Sequence, residues 1–197
     1  MWHCSAMRPA PLRLASPLPI SDELVNECLD LDSELDIRFS RAWHEPVRPL
    51  PSTLRAGALP GITGHIAESV VELVLADYQY VPLEHHVGPG RHGADLIMLN
   101  LTADLVLVIE VKGTLRPGHV PRLTSGELAQ MSAGWLDKPD NPAMVSAGLR
   151  SEDVYGAVMA VNFADMTLRA IVTADFIALS PVMRWEELDD PSWLRVS

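Results

Sequence analysis

The chain has 197 residues, 48% of them hydrophobic and 21% charged, which is enough for one domain with a real core and unlike a disordered or fibrous chain. A formal net charge of −11 and a pI near 4.9 count against a protein that coats nucleic acid through general phosphate attraction. No apolar run is long enough to span a bilayer. Residues 1–20 are broken by Pro9, Pro11, Pro17 and Pro19 and lack the apolar centre of a signal peptide, so the expectation is a cytoplasmic protein with no membrane partner. Cys4 and Cys28 have neither disulfide-framework nor zinc-site spacing.

In chain order, residues 1–20 read as a Pro-rich arm. Residues 21–43 read as a helix, with Ser21 as its cap and Leu24, Cys28, Leu31 and Leu35 at helical spacing. Residues 44–61 hold four prolines and two glycines and read as a linker. Residues 63–78 predict a helix that buries Ile66, Val70, Val71, Val74 and Leu75. A strand follows at 80–85, then a turn at Gly88-Pro89-Gly90, then two apolar strands at 95–100 and 105–112. Residues 113–124 read as loop, 125–137 as a helix with Leu128, Met131 and Trp135 inward, and 138–153 as loop again. Strands at 155–163 and 168–172 and a short turn at 185–188 close the list. The result is an α/β fold, a central mixed sheet flanked by helices, with residues 1–60 as an N-terminal extension and 61–197 as the core domain.

The chemistry concentrates at two strand ends. If 95–100 and 105–110 pair as an antiparallel hairpin, Asn100 opposes Leu105 and the same count sets Asp95 opposite Glu110. Opposed like charges are destabilising. A divalent cation between them removes the conflict, and hard oxygen ligands suit Mg²⁺ or Mn²⁺. Lys112, two residues beyond Glu110, shares its face. The chain has 13 arginines and only two lysines, Lys112 and Lys138, which fits a chemical demand for an amine beside that carboxylate. His85 and His86 are adjacent on a strand, point to opposite faces and do not chelate one ion simply.

These residues resemble a family. Gly93-Ala94-Asp95, an apolar strand and Ile109-Glu110-Val111-Lys112-Gly113 are similar to the signature of the PD-(D/E)XK, or restriction-endonuclease-like, nucleases. Gly64-His65-Ile66-Ala67-Glu68 resembles the first-helix motif of the Holliday-junction-resolvase-like branches, and Gln130 matches a glutamine seen in several branches. Ala94 stands where the family name has proline. The resemblance covers about residues 61–173 and implies a restriction-endonuclease-like core of order αβββαβ.

It also implies DNA phosphodiester hydrolysis, in restriction, defence, repair or a toxin role. Asp95, Glu110 and the Val111 carbonyl would hold Mg²⁺, with Mn²⁺ as a substitute. Lys112 would handle the attacking water, and Glu68 and Gln130 would assist. Glu72, one turn beyond Glu68 on the same face, competes with it, and the family spacing favours Glu68. Arg91, His92, Arg116, His119 and Arg122 flank the motif and form the expected nucleic-acid contact. Two rivals keep the same residues: an RNA or tRNA endonuclease, and a non-catalytic regulatory or assembly protein that retains the fold. Residues 1–60 are the expected surface for a homodimer or protein partner.

Overall fold

A computed structural model of the chain describes residues 17–30, 32–44, 58–84, 94–101, 105–119, 133–137 and 141–172. It is an α/β arrangement in which helices pack on a mixed six-stranded sheet. The elements are β1 (Leu18–Pro19), α1 (Asp22–Glu27), α2 (Glu34–His44), α3 (Ala58–Asp77), β2 (Tyr80–Glu84), β3 (Leu96–Asn100), β4 (Leu105–Thr114), α4 (Ala133–Leu136), α5 (Pro142–Ala147), β5 (Val154–Asn162) and β6 (Thr167–Val172). The strand order is β1-β6-β5-β4-β3-β2, with β4 and β5 parallel and the other neighbours antiparallel.

β4 is central because it is apolar on both faces until its last third. Leu107, Ile109 and Val111 point to one side and join Met98, Met159, Val161, Leu168 and the inward face of α3 in the larger core. Val108 points to the other side, where Ile97, Val158 and Ala160 meet Leu136 of α4 and Met144 of α5. Ile66, Val70, Val71, Val74 and Leu75 of α3 are all buried, as the helical spacing predicts.

Two expected segments differ. The helix expected over 21–43 is two helices. Ser21 caps the first, its Oγ accepting from the Leu24 N–H at 3.2 Å. The chain then turns: the Asp32 N–H donates to Asp30 Oδ1 at 3.0 Å and the Asp30 N–H to Asp36 Oδ2 at 2.7 Å. Aspartates that offer the backbone local acceptors compete with helix continuation. The turn changes which face is inward, so Val25 and Phe39 are buried while Leu35 is 42% exposed. The second difference lies in 138–153, expected as loop, which contains α5 and a 3₁₀ turn at Ser151–Asp153. Pro142 in the first turn and Gly148 in the left-handed conformation (φ 68°) delimit α5, a pairing of start and stop residues the sequence does contain. The expected turns at 88–90 and 185–188, and Leu128 and Met131 of the helix expected over 125–137, lie outside the described residues.

The N-terminal segment is built into the larger core. β1 pairs with β6. Phe39 meets Phe163 edge-on, with centroids 4.9 Å apart, and Trp43 Nε1 donates to the Phe163 carbonyl at 3.1 Å.

α3 crosses β4 closely at Gly113. A Cβ there would lie 2.5 Å from the Thr63 carbonyl oxygen and 3.0 Å from Ala67 Cβ. Gly113→Ala should therefore force the helix off the strand, costing about 2 kcal/mol and roughly 4–8 °C in thermal melts of the full chain. An unchanged Tm would show that the helix does not approach the strand this closely.

Candidate active site

The β3–β4 ladder runs from Asn100↔Leu105 to Leu96↔Ile109, the register expected from the sequence. The ladder ends there: Asp95 is a bend residue whose N–H donates to the carbonyl of Ile109, the residue already paired with Leu96, at 3.1 Å. Asp95 thus lies one step out of register, beside Glu110 and not paired with it as the sequence count expected. Asp95 Oδ2 accepts from the Val111 N–H at 2.7 Å, which turns its carboxylate toward the end of β4. Glu110 is only 4% exposed. Its Oε1 accepts from Lys112 Nζ at 2.7 Å, and its Oε2 is buried as well. Glu110 and Lys112 thus share the face that the two-residue period gives them.

Burial first, and then the neighbouring Glu110 carboxylate, push Asp95 up to about 7. The Val111 N–H opposes this, Glu68 adds to it, and the Lys112 ammonium opposes it. Glu68 therefore lies within electrostatic reach of Asp95, although α3 covers the opposite face of β4. Glu72 acts elsewhere: the Cys28 thiol is pushed up to about 11 by burial, then by Glu27 and Glu72. Of the two competing helix carboxylates, Glu68 is the one that acts on Asp95.

The donor set fits a hard divalent cation. Two carboxylates are held on one strand end against their mutual repulsion, beside the main-chain carbonyl of Val111 and with a third carboxylate nearby. Among the described residues, no three His, Cys, Asp or Glu side chains form a ready cage, so the set consists of two side chains and a carbonyl.

Of the remaining expected site residues, Gln130, Arg91, His92 and Arg122 lie outside the described residues. Arg116 and His119 are exposed on the loop after β4. That loop is held by a residue the sequence reading missed. Asn162 Nδ2 donates to the carbonyls of Arg116 and His119, both at 3.0 Å, and to Asp165 Oδ2 at 2.8 Å. Asp165 Oδ2 also accepts from the Gly118 N–H at 2.7 Å. A polar Asn-Phe-Ala-Asp turn between two apolar strands was the available signal. Compared with known proteins, the chain matches no family model, no curated protein and no solved structure.

The raised Asp95 sets a pH dependence. Its ordinary value is 3.8 and its folded value about 7, so between these the folded chain binds more protons than the unfolded one. The stability it contributes is complete at low pH and declines as pH rises through that window. Solvent access reduces the effect to roughly 1–2 kcal/mol. The loss of Tm between pH 5 and pH 8 in metal-free buffer should then be roughly 3–6 °C smaller in Asp95→Asn than in the wild type. Equal losses in the two proteins would mean that Asp95 is not the titrating group.

Proposed function

We propose that this chain is a metal-dependent phosphodiester hydrolase acting on nucleic acid, with DNA as the favoured substrate. The observation that carries the reading is the closeness of the Asp95 and Glu110 carboxylates, with Asp95 held by the Val111 N–H and Lys112 bonded to Glu110 at 2.7 Å, at the end of a buried central strand. Strand ends of open α/β sheets are where ligands bind. The order of α3, the β2–β3–β4 meander and a parallel β5 further supports a restriction-endonuclease-like core. Asp95, Glu110 and the Val111 carbonyl would hold Mg²⁺ or Mn²⁺. When bound, such an ion supplies positive charge for the phosphate and lowers the pKa of a coordinated water.

The chain's own residues do the rest. The Val111 N–H fixes the direction of the Asp95 carboxylate. Lys112, held by its buried partner, presents an ammonium, which favours stabilising charge on the phosphate and orienting the water over taking its proton. Glu68 adds negative charge behind Asp95 and suits a water-mediated role.

The net charge of −11 favours one rival, a regulatory or assembly subunit that keeps the fold without the chemistry. Incubation with plasmid, single-stranded DNA and tRNA, each with Mg²⁺, Mn²⁺ or EDTA, separates the readings. Cleavage of plasmid with Mg²⁺ and none with EDTA is expected, and Asp95→Asn and Glu110→Gln should each reduce it by at least about 100-fold. These substitutions relieve the neighbouring like charges and should keep the fold. Lys112→Ala is a poorer probe, because it removes the counter-ion of a buried carboxylate and should destabilise the protein. Cleavage of tRNA alone would replace DNA by RNA. No cleavage of any substrate would leave the non-catalytic rival.

A further inference from the structure

The pairing register carries the Lys112 position across the sheet. Lys112 pairs with Ala160 of β5, and Ala160 pairs with Arg169 of β6. Directly paired residues share a face, so lysine and arginine stand on one side of the sheet with only the Ala160 methyl between them. Two strand spacings put their Cα atoms ~10 Å apart.

Arg169 is half-buried and lines a cavity of ≈ 40 Å³ with Thr167, Asn162, Asp165, Gly118 and His119. Among the described residues it makes no ion pair. The neighbouring Asp165 carboxylate is already occupied by the Gly118 N–H and Asn162 Nδ2. Asp165 lines the same cavity and holds the loop through its Oδ2 without forming an ion pair with Arg169.

We infer that Arg169 binds a second phosphate of the nucleic-acid strand whose reacting phosphate lies at Lys112. The inference rests on the reading above and adds the direction in which the strand runs, across β4, β5 and β6. A space of ≈ 40 Å³ is small beside the roughly 300 Å³ of a small-molecule pocket and suits phosphate oxygens better than a nucleoside or flipped base. The planar guanidinium fork suits that group. Because the backbone winds around the duplex axis, successive phosphates lie farther apart than the ~3.4 Å axial rise, and the ~10 Å gap fits phosphates one or two nucleotides apart on one strand. Ala160 is buried between them, so the strand would be carried by the Lys112 and Arg169 side chains and not by the sheet surface itself.

The test uses the full chain, a labelled 20-base-pair duplex and inorganic phosphate as a second ligand. In EDTA, the duplex should bind Arg169→Gln more weakly, with a log–log salt slope shallower by about 1. The wild-type advantage should shrink about 3.5-fold between 50 and 200 mM salt. With Mg²⁺, KM should rise while kcat holds, the mark of a contact made equally in ground and transition states. Arg169→Lys should restore the slope and part of the KM. Melting curves accompany each variant; if Arg169→Gln does not fold, Arg169→Lys decides, with a two- to threefold higher KM expected from loss of the fork. Unchanged KM and salt slope in a folded variant of an enzyme that still cuts overturn this inference alone. Inorganic phosphate binding as tightly as the duplex also overturns it, pointing to a free-anion site. A wild-type chain that neither binds nor cuts nucleic acid overturns the nuclease reading beneath it too.

Discussion

Two carboxylates that would separate in water, Asp95 just past the end of β3 and Glu110 on β4, are held close together, and the site follows from how that is enforced. Every β4 residue between Val106 and Ile109 is apolar, and Leu107 and Ile109 face a different core from Val108. A slip of one residue would exchange these faces, exposing Ile109 and Leu107 to the wrong neighbours and turning Asp95 toward α3. The hydrophobic pairs Met98↔Leu107 and Ile97↔Val108 thereby fix the register, and the Val111 N–H and Lys112 hold the two acids at the same strand end. Lys112 relieves one of them directly. Asp95 keeps a single main-chain N–H and stays protonated well above the ordinary carboxylate range. A folded chain that stores such a conflict at one strand end binds a cation there more readily than an uncharged site would.

The parts of this arrangement governed by local periodicity were legible in the sequence. The apolar face of α3 and the hairpin count from Asn100↔Leu105 needed only the periods of a helix and a strand. The split at Asp30–Asp36 was less visible, because Leu24, Cys28, Leu31 and Leu35 keep a helical spacing across it. It depends on an Asp36 carboxylate reaching back six residues. The companions of Lys112 on β5 and β6 were out of reach. Ala160 and Arg169 join it through a parallel pairing that follows a long connection and an antiparallel one beyond it. No local pattern states the register of a parallel pair. The alternation Thr167-Leu168-Arg169-Ala170 puts polar residues on one face of β6, but it does not say what that face stands beside.

The N-terminal segment illustrates the same limit. Its high proline content and lack of motifs suggested an accessory arm for docking or dimer formation, yet β1, Val25 and Phe39 pack with α3 and the sheet. Phe39 and Trp43 grip Phe163, the residue after Asn162. Asn162 in turn ties down the loop carrying Arg116 and His119. Through these contacts, a segment with no chemistry of its own braces the turn that shapes the edge of the site.

Net charge poses the remaining physical problem. At −11, the chain as a whole repels a polyanion, and the ~8–10 Å screening length of physiological salt decides how far that repulsion reaches. Acids far from the site are screened, whereas a cation in direct contact with phosphate is not. A short row of cations on one sheet face is thus the form of attraction that survives in an acidic protein. Lys112 and Arg169 supply the two positions of such a row that the register brings together. On the proposed function, such a surface would bind few phosphates and would hold a strand by position more than by charge. Its affinity for DNA would fall less steeply with salt than that of a basic protein with many contacts. An acidic balance and the proposed phosphodiester substrate are then compatible, because binding would be confined to the few ångströms in which the proposed chemistry would take place.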